Sequence, residues 1–403
     1  MAGQDFNIQP VRVDSLDQAY QLLQSLGVTR AGGEIMAPKS RHFAIRVGPL
    51  SPQAAQILKQ EMLSKGGDAA LHREVLLGQP NTEALLLGTL AQFREVLLKL
   101  RGQPFRLAQL AKELEEVLDH LTAGETPGIL QCRRKELKLG TRTLVMGILN
   151  VTPDSFSDGG KYLEPQAAVD RALEIESQGA DILDLGGEST RPGGGKISSQ
   201  EELTRLLPVL RGIAREIKIP VSVDTYKAAT AEAALEEGAD IINDVSGLED
   251  PEMIKVAARF HVPVILMHSK KEPVDDIIRD IIAKLRQKKR SAVERGIKEE
   301  NIILDPGIGF GRELFGKSLE ENLEIINCLD SLKCLGSPIL VGTSRKSFIS
   351  EVLKVSPEER VEGTCATVVA AVMRGADIVR VHDVEQMVRV VGMTDAILGR
   401  GRE

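Results

Sequence analysis

The chain has 403 residues, a hydrophobic fraction of 42%, a charged fraction of 27% and a formal net charge of -7. These values are typical of globular proteins and predict two folded domains, one of them large, rather than a disordered or fibrous chain. The negative charge argues against nucleic-acid binding, which needs a positive face, and no apolar run approaches the ~20 residues that would span a membrane.

Residues 1–125 are predicted to form a small α/β domain. No cluster of residues in it suggests a chemistry. We interpret it as a unit that packs or forms oligomers, with a regulatory ligand site as the alternative. The patterns predict strands at His42–Val47 and Ala84–Leu87, helices at Pro52–Lys65, Leu90–Leu100 and Leu107–Leu118, and a linker at Leu121–Gly128.

Residues 126–403 are predicted to form a (β/α)₈ TIM barrel. Three times, at Gly179, Gly238 and Gly375, a helical stretch ends in Gly-Ala-Asp and an apolar strand follows. Glycine suits the left-handed residue that closes a helix, and a run apolar on both faces is typical of a buried parallel strand. An open doubly wound sheet is the alternative, but the units carry no glycine-rich dinucleotide turn. The predicted strands are Val145–Asn150, ILDLGG (182–187), Val221–Thr225, IINDV (241–245), Val264–His268, Ile302–Asp305, Ile339–Ser344 and IVRVH (378–382).

Polar residues stand at nearly every predicted strand end, where barrel enzymes carry their working residues. Buried together, they must satisfy one another or a ligand, because an unpaired buried polar group costs about 1–3 kcal/mol. Glycine-rich loops after the first two strands are typical of mobile covers. The residues that suit a flat ring with several N–H groups and a carbonyl are Asp224, Asn243, Asp305 and Lys346. Those that suit an anion, together with loop hydroxyls and main-chain N–H groups, are Arg191, Arg380 and His382.

The signatures at these strand ends resemble those of dihydropteroate synthase, the folate-pathway enzyme that sulfonamides inhibit. The resemblance covers residues 129 to about 400, the whole predicted barrel. It implies that the enzyme joins 6-hydroxymethyl-7,8-dihydropterin pyrophosphate to p-aminobenzoate, giving 7,8-dihydropteroate and pyrophosphate. In family order the signatures are MGILNVTPDSFSDGG (146–160), DLGGESTRPG (184–193), SVDT (222–225), IINDV (241–245), LMH (266–268), LDPGIGFG (304–311), SRKSFI (344–349) and RVHDV (380–384).

The resemblance also implies roles for individual residues, a homodimer formed through the outer helices, and sulfonamides as inhibitors. In the family, pyrophosphate leaves first, and Asp224 would stabilise the cation left at the pterin methylene before the arylamine attacks. The implied catalytic residues are Asp224, Lys346, Arg380 and Asn150. The implied pterin site is Asp224, Asn243, Met267, Asp305 and Lys346. The implied pyrophosphate site is Asn150, Arg191, Arg380 and His382, with Asn150 helping to hold Mg²⁺. The implied p-aminobenzoate pocket is Phe156, Thr190, Arg191, Pro192, Phe310 and Ser344.

Two places depart from the family pattern. Ser269 stands where a methionine usually follows LMH, and about five residues, RELFG, are inserted before Lys317. The insertion creates a formal phosphate-loop match, G-x-x-x-x-G-K-S, from Gly311 to Ser318. Its bulky residues and its place in a barrel loop argue against a nucleotide site, so we interpret it as a lengthened sixth loop. The basic stretch Lys284–Arg290 is interpreted as the solvated face of a helix.

Two other functions remain as alternatives. A pterin-dependent methyltransferase that serves a corrinoid protein also holds pterin in a barrel, but it would not need the STRPG, SRKS and RVHD segments. A non-catalytic pterin-binding protein would be supported by loss of Asp224, Lys346 or Arg380, and all three are present. Four cysteines without a C-x-x-C pair, and a polar start without a signal region, predict a cytoplasmic location.

Overall fold

The computed structural model describes residues 7–78, 81–123, 128–133, 135–152, 165–188, 197–269, 272–309 and 316–401. The chain divides into two compact units, Met1–Gly124 and Glu125–Glu403. Within the described ranges, no helix combines the length and the apolar character needed to cross a membrane.

The N-terminal unit is a small α/β fold, as predicted. Its three strands form an antiparallel sheet in which the third strand along the chain lies between the first two. The core lies between this sheet and the helices, where Leu58, Phe93 and Leu114 are buried. The sequence patterns missed the first two helices and the four-residue second strand. The elements are α1 (Leu16–Ser25), α2 (Arg30–Met36), β1 (His42–Leu50), α3 (Pro52–Ser64), β2 (Asp68–Leu71), β3 (Thr82–Thr89), α4 (Leu90–Leu100) and α5 (Leu107–Thr122), with 3₁₀ turns at Ala37–Lys39 and Val75–Leu77.

The second unit is the predicted (β/α)₈ barrel, preceded by a hairpin of β4 (Gly128–Gln131) and β5 (Glu136–Leu139). Eight parallel strands pair in chain order, and helices cover their outer faces. The strands are β6 (Leu144–Asn150), β7 (Ile182–Gly186), β8 (Val221–Asp224), β9 (Ile241–Asp244), β10 (Val264–Met267), β11 (Ile302–Asp305), β12 (Leu340–Val341) and β13 (Ile378–Val381). The helices are α6 (Pro165–Ser177), α7 (Ser199–Ile213), α8 (Ala228–Glu236), α9 (Pro251–Phe260), α10 (Ile277–Glu294), α11 (Leu319–Asn327), α12 (Ser347–Leu353), α13 (Val361–Met373) and α14 (Val384–Leu398), with 3₁₀ segments at Glu299–Asn301, Leu329–Leu335 and Pro357–Glu359.

The Gly-Ala-Asp repeat joins each of three helices to the barrel in the same way. Gly179, Gly238 and Gly375 all have positive φ, at 97°, 114° and 91°, which is the left-handed conformation expected where a helix closes. The aspartate that follows accepts a main-chain N–H near the start of the preceding strand. The three bonds are Asp181 with Val145 at 2.9 Å, Asp240 with Val221 at 3.1 Å, and Asp377 with Ile339 at 2.8 Å.

The ring closes between β11 and β12. The N–H of Leu304 donates to the carbonyl of Pro338 at 2.9 Å, and Leu304 forms a parallel bridge with Ile339. The predicted strand Ile339–Ser344 is wrong in length, because β12 ends at Val341. The chain beyond Val341 turns towards Arg345, which has a positive φ of 57°.

The β4–β5 hairpin closes the end of the barrel at which the strands begin. Its side chains Leu130, Cys132, Leu137 and Leu139 form one buried cluster with inward-facing residues from the barrel strands, such as Met146. The sequence patterns did not predict this hairpin, which begins at Gly128, where the predicted linker Leu121–Gly128 ends. Apolar side chains thus fill this end of the barrel among the described residues.

The interpretation of Lys284–Arg290 as a solvated helix face is partly wrong. Lys289 is buried and donates to the carbonyl of Leu335 at 2.6 Å. Lys288 donates to the carbonyls of Ser246 at 2.9 Å and Met267 at 3.1 Å. These two lysines fasten α10 to the barrel and to loops at its rim.

Candidate active site

The predicted site residues are brought together by strand pairing. Side chains alternate along a strand, and the apolar residues of β8 to β11 that flank the polar ones belong to the outer core beneath the helices. Gly186 is paired with Asp224, Asp224 with Asn243, and Met267 with Asp305. The polar side chains at these positions therefore face inwards at the rim where the strands end.

Arg380 joins two carboxylates at this rim. Its Nε donates to Asp184 at 2.6 Å and its Nη2 to Asp224 at 2.7 Å. Asp184 is fully buried, and the Asn243 amide donates to it at 3.3 Å. Sequence reasoning did not single out Asp184, although this residue begins the DLGGESTRPG signature. Leu183 and Leu185 on either side of it pack in the outer core, so Asp184 must face the inside of the barrel. This alternation is the signal that could have identified it.

Asp305 and Lys346 form the opposite side of the predicted ring site. The Asp305 carboxylate accepts the N–H of Gly307 at 2.6 Å. The stem of Lys346 lies over Gly309, where an added Cβ would be 2.7 Å from the Lys346 Cβ. Gly309 also has a positive φ of 75°, so glycine is needed there both for conformation and for space. Met267, the remaining predicted pterin contact, is buried next to Asp305 in the strand register.

Burial shifts the protonation equilibria of these groups in opposite directions. Burial raises the pKa of Asp224 to about 7, while the nearby Arg380 charge opposes the rise. Burial, followed by repulsion from Arg380, lowers the pKa of Lys346 to about 8, although Asp305 and Asp224 act against this. Burial also raises the pKa of Asp305. A buried carboxylate and a buried ammonium that titrate near neutrality are typical of functional sites.

His382 and Ser344 lie next to each other at the ends of neighbouring strands. The Ser344 Oγ accepts the main-chain N–H of His382 at 3.1 Å and lies 3.1 Å from its Nδ1. Burial, together with the charge of Arg380, lowers the pKa of His382 to about 3. The imidazole is therefore neutral at physiological pH and offers an anion a hydrogen bond rather than a positive charge.

Asn150 reaches the same rim beside Gly186. A Cβ added at Gly186 would lie 3.1 Å from Asn150 Oδ1 and 3.9 Å from Asp224 Oδ2. The glycine thus leaves space between the amide oxygen and the carboxylate. The other predicted contacts lie outside the described residues, namely Phe156, Thr190, Arg191, Pro192 and Phe310.

The residue before Lys346 is held in an uncommon conformation. Arg345 has a φ of 57°, which costs an L-residue with a long side chain free energy unless its surroundings fix it. Its guanidinium forms two hydrogen bonds with Asp383, one of them from Nε at 3.0 Å. Its main-chain N–H donates to Thr364 at 3.1 Å, and its carbonyl accepts from Arg360 at 2.6 Å. These contacts fix the turn that presents Lys346, and sequence reasoning missed them.

Glu188 lies where the second glycine-rich loop begins. Lys227 donates to Glu188 and, at 3.0 Å, to Glu202, while the Tyr226 hydroxyl donates to Glu188 at 3.0 Å. Glu202 also accepts from Thr230 at 2.9 Å. This network fastens the start of the loop to α7 and α8.

No group of three or more His, Cys, Asp or Glu residues that could hold a metal occurs among the residues the structure describes. Mg²⁺ usually keeps several waters and binds substrate phosphates with one or two protein oxygens.

Comparisons with known proteins agree with this geometry. The model of the pterin binding enzyme family matches residues 146–382. Dihydropteroate synthase of Bacillus subtilis is 49% identical over 275 residues, which are 68% of this chain and 95% of that protein. A crystal structure of dihydropteroate synthase from Clostridium difficile, determined in the presence of pteroic acid, is 48% identical, with a TM-score of 0.61 over 64% of this chain and 98% of that one.

A further relative extends the match beyond the barrel. A probable bifunctional folylpolyglutamate synthase/dihydropteroate synthase of Halobacterium salinarum is 42% identical over 392 residues. These are 95% of this chain, so the match includes the N-terminal unit, but only 46% of that longer protein. Because the family model spans the barrel strands from β6 to β13, and the described residues of its motifs meet at one rim, the chain belongs to the pterin binding enzymes, among the dihydropteroate synthases.

Proposed function

We propose that the chain joins 6-hydroxymethyl-7,8-dihydropterin pyrophosphate to p-aminobenzoate at the barrel rim described above. The bond between the pterin methylene carbon and the pyrophosphate oxygen breaks, and a bond from that carbon to the arylamine nitrogen forms. The amine loses a proton, and the products are 7,8-dihydropteroate and pyrophosphate. The observation that carries the proposal is the Asp184–Arg380–Asp224 arrangement, because it places a cation for an anionic leaving group beside carboxylates.

The pterin ring is proposed to lie against Asp224, Asn243, Met267, Asp305 and Lys346. Ionised carboxylates accept hydrogen bonds, and an ammonium donates them to ring acceptors. These polar groups lie among buried side chains, so the bonds form where water competes little. The buried sulfur of Met267 adds an apolar, polarizable contact for a flat ring.

The pyrophosphate is proposed to meet Arg380, His382, Asn150 and Arg191. Arg380 uses only some of its guanidinium N–H donors to bind its two carboxylates, so it can also donate to phosphate oxygens. The neutral His382 would donate one hydrogen bond without adding charge. Together these donors would stabilise the developing charge of the leaving group.

Asn150 is the residue proposed to help hold Mg²⁺ with the pyrophosphate oxygens, and its oxygen beside the space left by Gly186 fits such a role. When bound, the ion would neutralise charge on the leaving pyrophosphate. The residues of the chain contribute the orientation of the anion and the surrounding donors.

Asp224 is proposed to stabilise the cation that forms at the pterin methylene. Asp184 and Asp224 share one guanidinium, so Arg380 alone does not neutralise both negative charges. A fixed negative charge in a site with little water lowers the energy of a cationic intermediate more than it would in bulk solvent.

The p-aminobenzoate site is proposed to include Ser344, with Phe156, Thr190, Arg191, Pro192 and Phe310 from the loops. Sulfonamides are arylamines of similar shape, so we propose that they compete for this site.

The exposed apolar side chains Met373, Met393 and Ile397 on α13 and α14 support a homodimer formed through these outer helices. All four cysteines are free, which supports a cytoplasmic location.

Measuring pyrophosphate release from the pterin substrate, with and without p-aminobenzoate, tests the proposed reaction. We expect release that depends on p-aminobenzoate and matches the amount of dihydropteroate formed. A methyltransferase or a non-catalytic binding protein would release no pyrophosphate in either condition, and that result would remove the proposal.

A further inference from the structure

Lys317 does not occupy the position that a phosphate-binding lysine needs. Its side chain is only 2% exposed, and its ammonium donates to the carbonyls of Pro306 at 2.7 Å and Gly307 at 2.6 Å. It also reaches the carbonyl of His268 at 3.4 Å. An ammonium has a small set of N–H donors and no acceptor. The formal phosphate-loop match thus places its lysine against main-chain carbonyls of the barrel.

These carbonyls belong to the ends of two neighbouring strands. His268 follows β10, and Pro306 and Gly307 follow β11. The N–H of His268 also donates to the carbonyl of Asp305 at 2.8 Å. Lys317 therefore cross-links the ends of β10 and β11, and the end of β11 carries Asp305, a residue proposed above to bind the pterin.

The turn that Lys317 holds also fixes the Asp305 carboxylate. Gly307 has a φ of 68°, and its N–H donates to the Asp305 carboxylate at 2.6 Å. A Cβ added at Gly307 would lie 2.8 Å from Lys317 Nζ and against the carbonyl of His268. The main chain of the turn and the Lys317 ammonium are thus in close contact, so the conformation of the turn depends on the position of the lysine.

The lengthened loop is fastened on both sides of its undescribed residues 310–315. The N–H of Gly309 donates to Asn322 at 2.8 Å, and Asn322 donates to the carbonyl of Ser318 at 2.8 Å. Ser318 caps α11 and exchanges hydrogen bonds with Glu321. Residues added between Gly309 and Lys317 therefore need not move the ammonium.

We propose that Lys317 is a positioning residue for pterin binding, which ties the ends of β10 and β11 and aims the Asp305 carboxylate at the ring. The inference rests on the role proposed for Asp305. The charged groups that act on Asp305 are Lys317, Lys346 and Arg380, and each favours its ionised form against burial. Removing the Lys317 charge would therefore make Asp305 take up a proton at a higher pH.

The test uses the full chain with Lys317→Met, which keeps a long side chain but removes the ammonium. Binding of the pterin pyrophosphate is measured by calorimetry across a range of pH. We expect binding at neutral pH to weaken about tenfold or more, and the pH below which binding is lost to move upwards. The KM for p-aminobenzoate should change little. Lys255→Met, at an exposed lysine on α9, is the control and should leave all of these unchanged.

Asp305→Asn separates this inference from the proposed function. If Asp305→Asn binds the pterin normally, the proposed pterin site is wrong. If Asp305→Asn is impaired while Lys317→Met has normal affinity and an unshifted pH profile, only the inference about Lys317 is overturned. Lys317→Gln keeps N–H donors without the charge and gives the same comparison if Lys317→Met does not fold. It should bind the pterin more weakly than the unchanged chain and show the upward pH shift, and an unshifted profile would overturn the inference.

Discussion

Arg380 Nε lies 2.6 Å from the buried carboxylate of Asp184, one strand away from Asp224. This ion pair holds the guanidinium inside the barrel, with its remaining donors at the rim. A charge-assisted hydrogen bond to a fully buried partner fixes orientation more strongly than a solvated pair does. The arginine proposed to meet the pyrophosphate is therefore oriented before the substrate arrives.

Replacing Arg380 should affect the anion more than the ring. For Arg380→Ala we expect the Kd of the pyrophosphorylated pterin to rise about tenfold to a hundredfold, as loss of a charged hydrogen-bonding partner implies, and the Kd of the free hydroxymethyl pterin to rise much less. Calorimetry with both ligands gives the comparison. Equal losses for the two ligands would mean that the anion is held elsewhere.

Removing this arginine also leaves Asp184 buried without its main partner, which costs about 3–5 kcal/mol of folding stability. Arg380→Lys keeps a charge and provides the binding comparison if the alanine variant is unstable. An ammonium cannot bridge both carboxylates with the geometry of a guanidinium, so a smaller selective loss is expected.

Asp224→Asn tests the proposed countercharge. The amide keeps the shape of the side chain but cannot offset a cation, so we expect the turnover number to fall about 10²-fold or more. Circular dichroism should show a retained fold, because Asp184 still pairs with Arg380. Single-turnover pyrophosphate release measures the step directly. Turnover close to that of the unchanged chain would refute the electrostatic role.

The dependence of kcat/KM on pH should be bell-shaped. Asp224 must be ionised, and its pKa is raised to about 7 by burial, so activity should fall as the pH drops below that value. Lys346 must be protonated, and its pKa is lowered to about 8 by burial, so activity should also fall above that value. Steady-state rates at low pterin concentration give the profile.

Lys346→Arg provides the check on the alkaline side of this profile. Arginine stays charged throughout the accessible range, so the decline at high pH should disappear even if the maximum rate is lower. A decline that persists in this variant would assign it to another group.

The β4–β5 hairpin, which closes the end of the barrel at which the strands begin, should contribute to stability but not to catalysis. Leu130 is 1% exposed and Ile129, next to it on β4, is 59% exposed. For Leu130→Ala we expect the free energy of unfolding to fall by about 2–5 kcal/mol, and for Ile129→Ala to change by less than about 0.5 kcal/mol. Urea denaturation measures both. At a temperature where each variant is folded, turnover should be unchanged, and a selective loss of activity would contradict this division.

Sequence patterns predicted the barrel because its signals are local. A closing glycine, an aspartate that caps the neighbouring strand and a short apolar run recur within a few residues, as at Gly179–Asp181. Polar residues at the ends of such strands must meet at one rim, so Asp224, Asn243, Asp305 and Arg380 could be grouped before the structure was known.

Which side chains pair with each other at the site could not be predicted, because the pairs join distant parts of the chain. Asp184 and Arg380 are almost two hundred positions apart, and only the order of strands in the ring brings them together. The β4–β5 hairpin was missed because its short strands are stabilised by the barrel end that they fill. Lys317 was set aside with its phosphate-loop match, since the carbonyls it contacts carry no side-chain signal.

The most direct measurement is a crystal structure of the full chain with a pterin substrate analogue and a sulfonamide. We predict the pterin ring at the strand-end rim, within hydrogen-bond distance of Asp224, Asn243, Asp305 and Lys346, and the sulfonamide nearer the mouth, beside Ser344. A pterin bound away from these four side chains, with the rim left to solvent, would contradict the central claim.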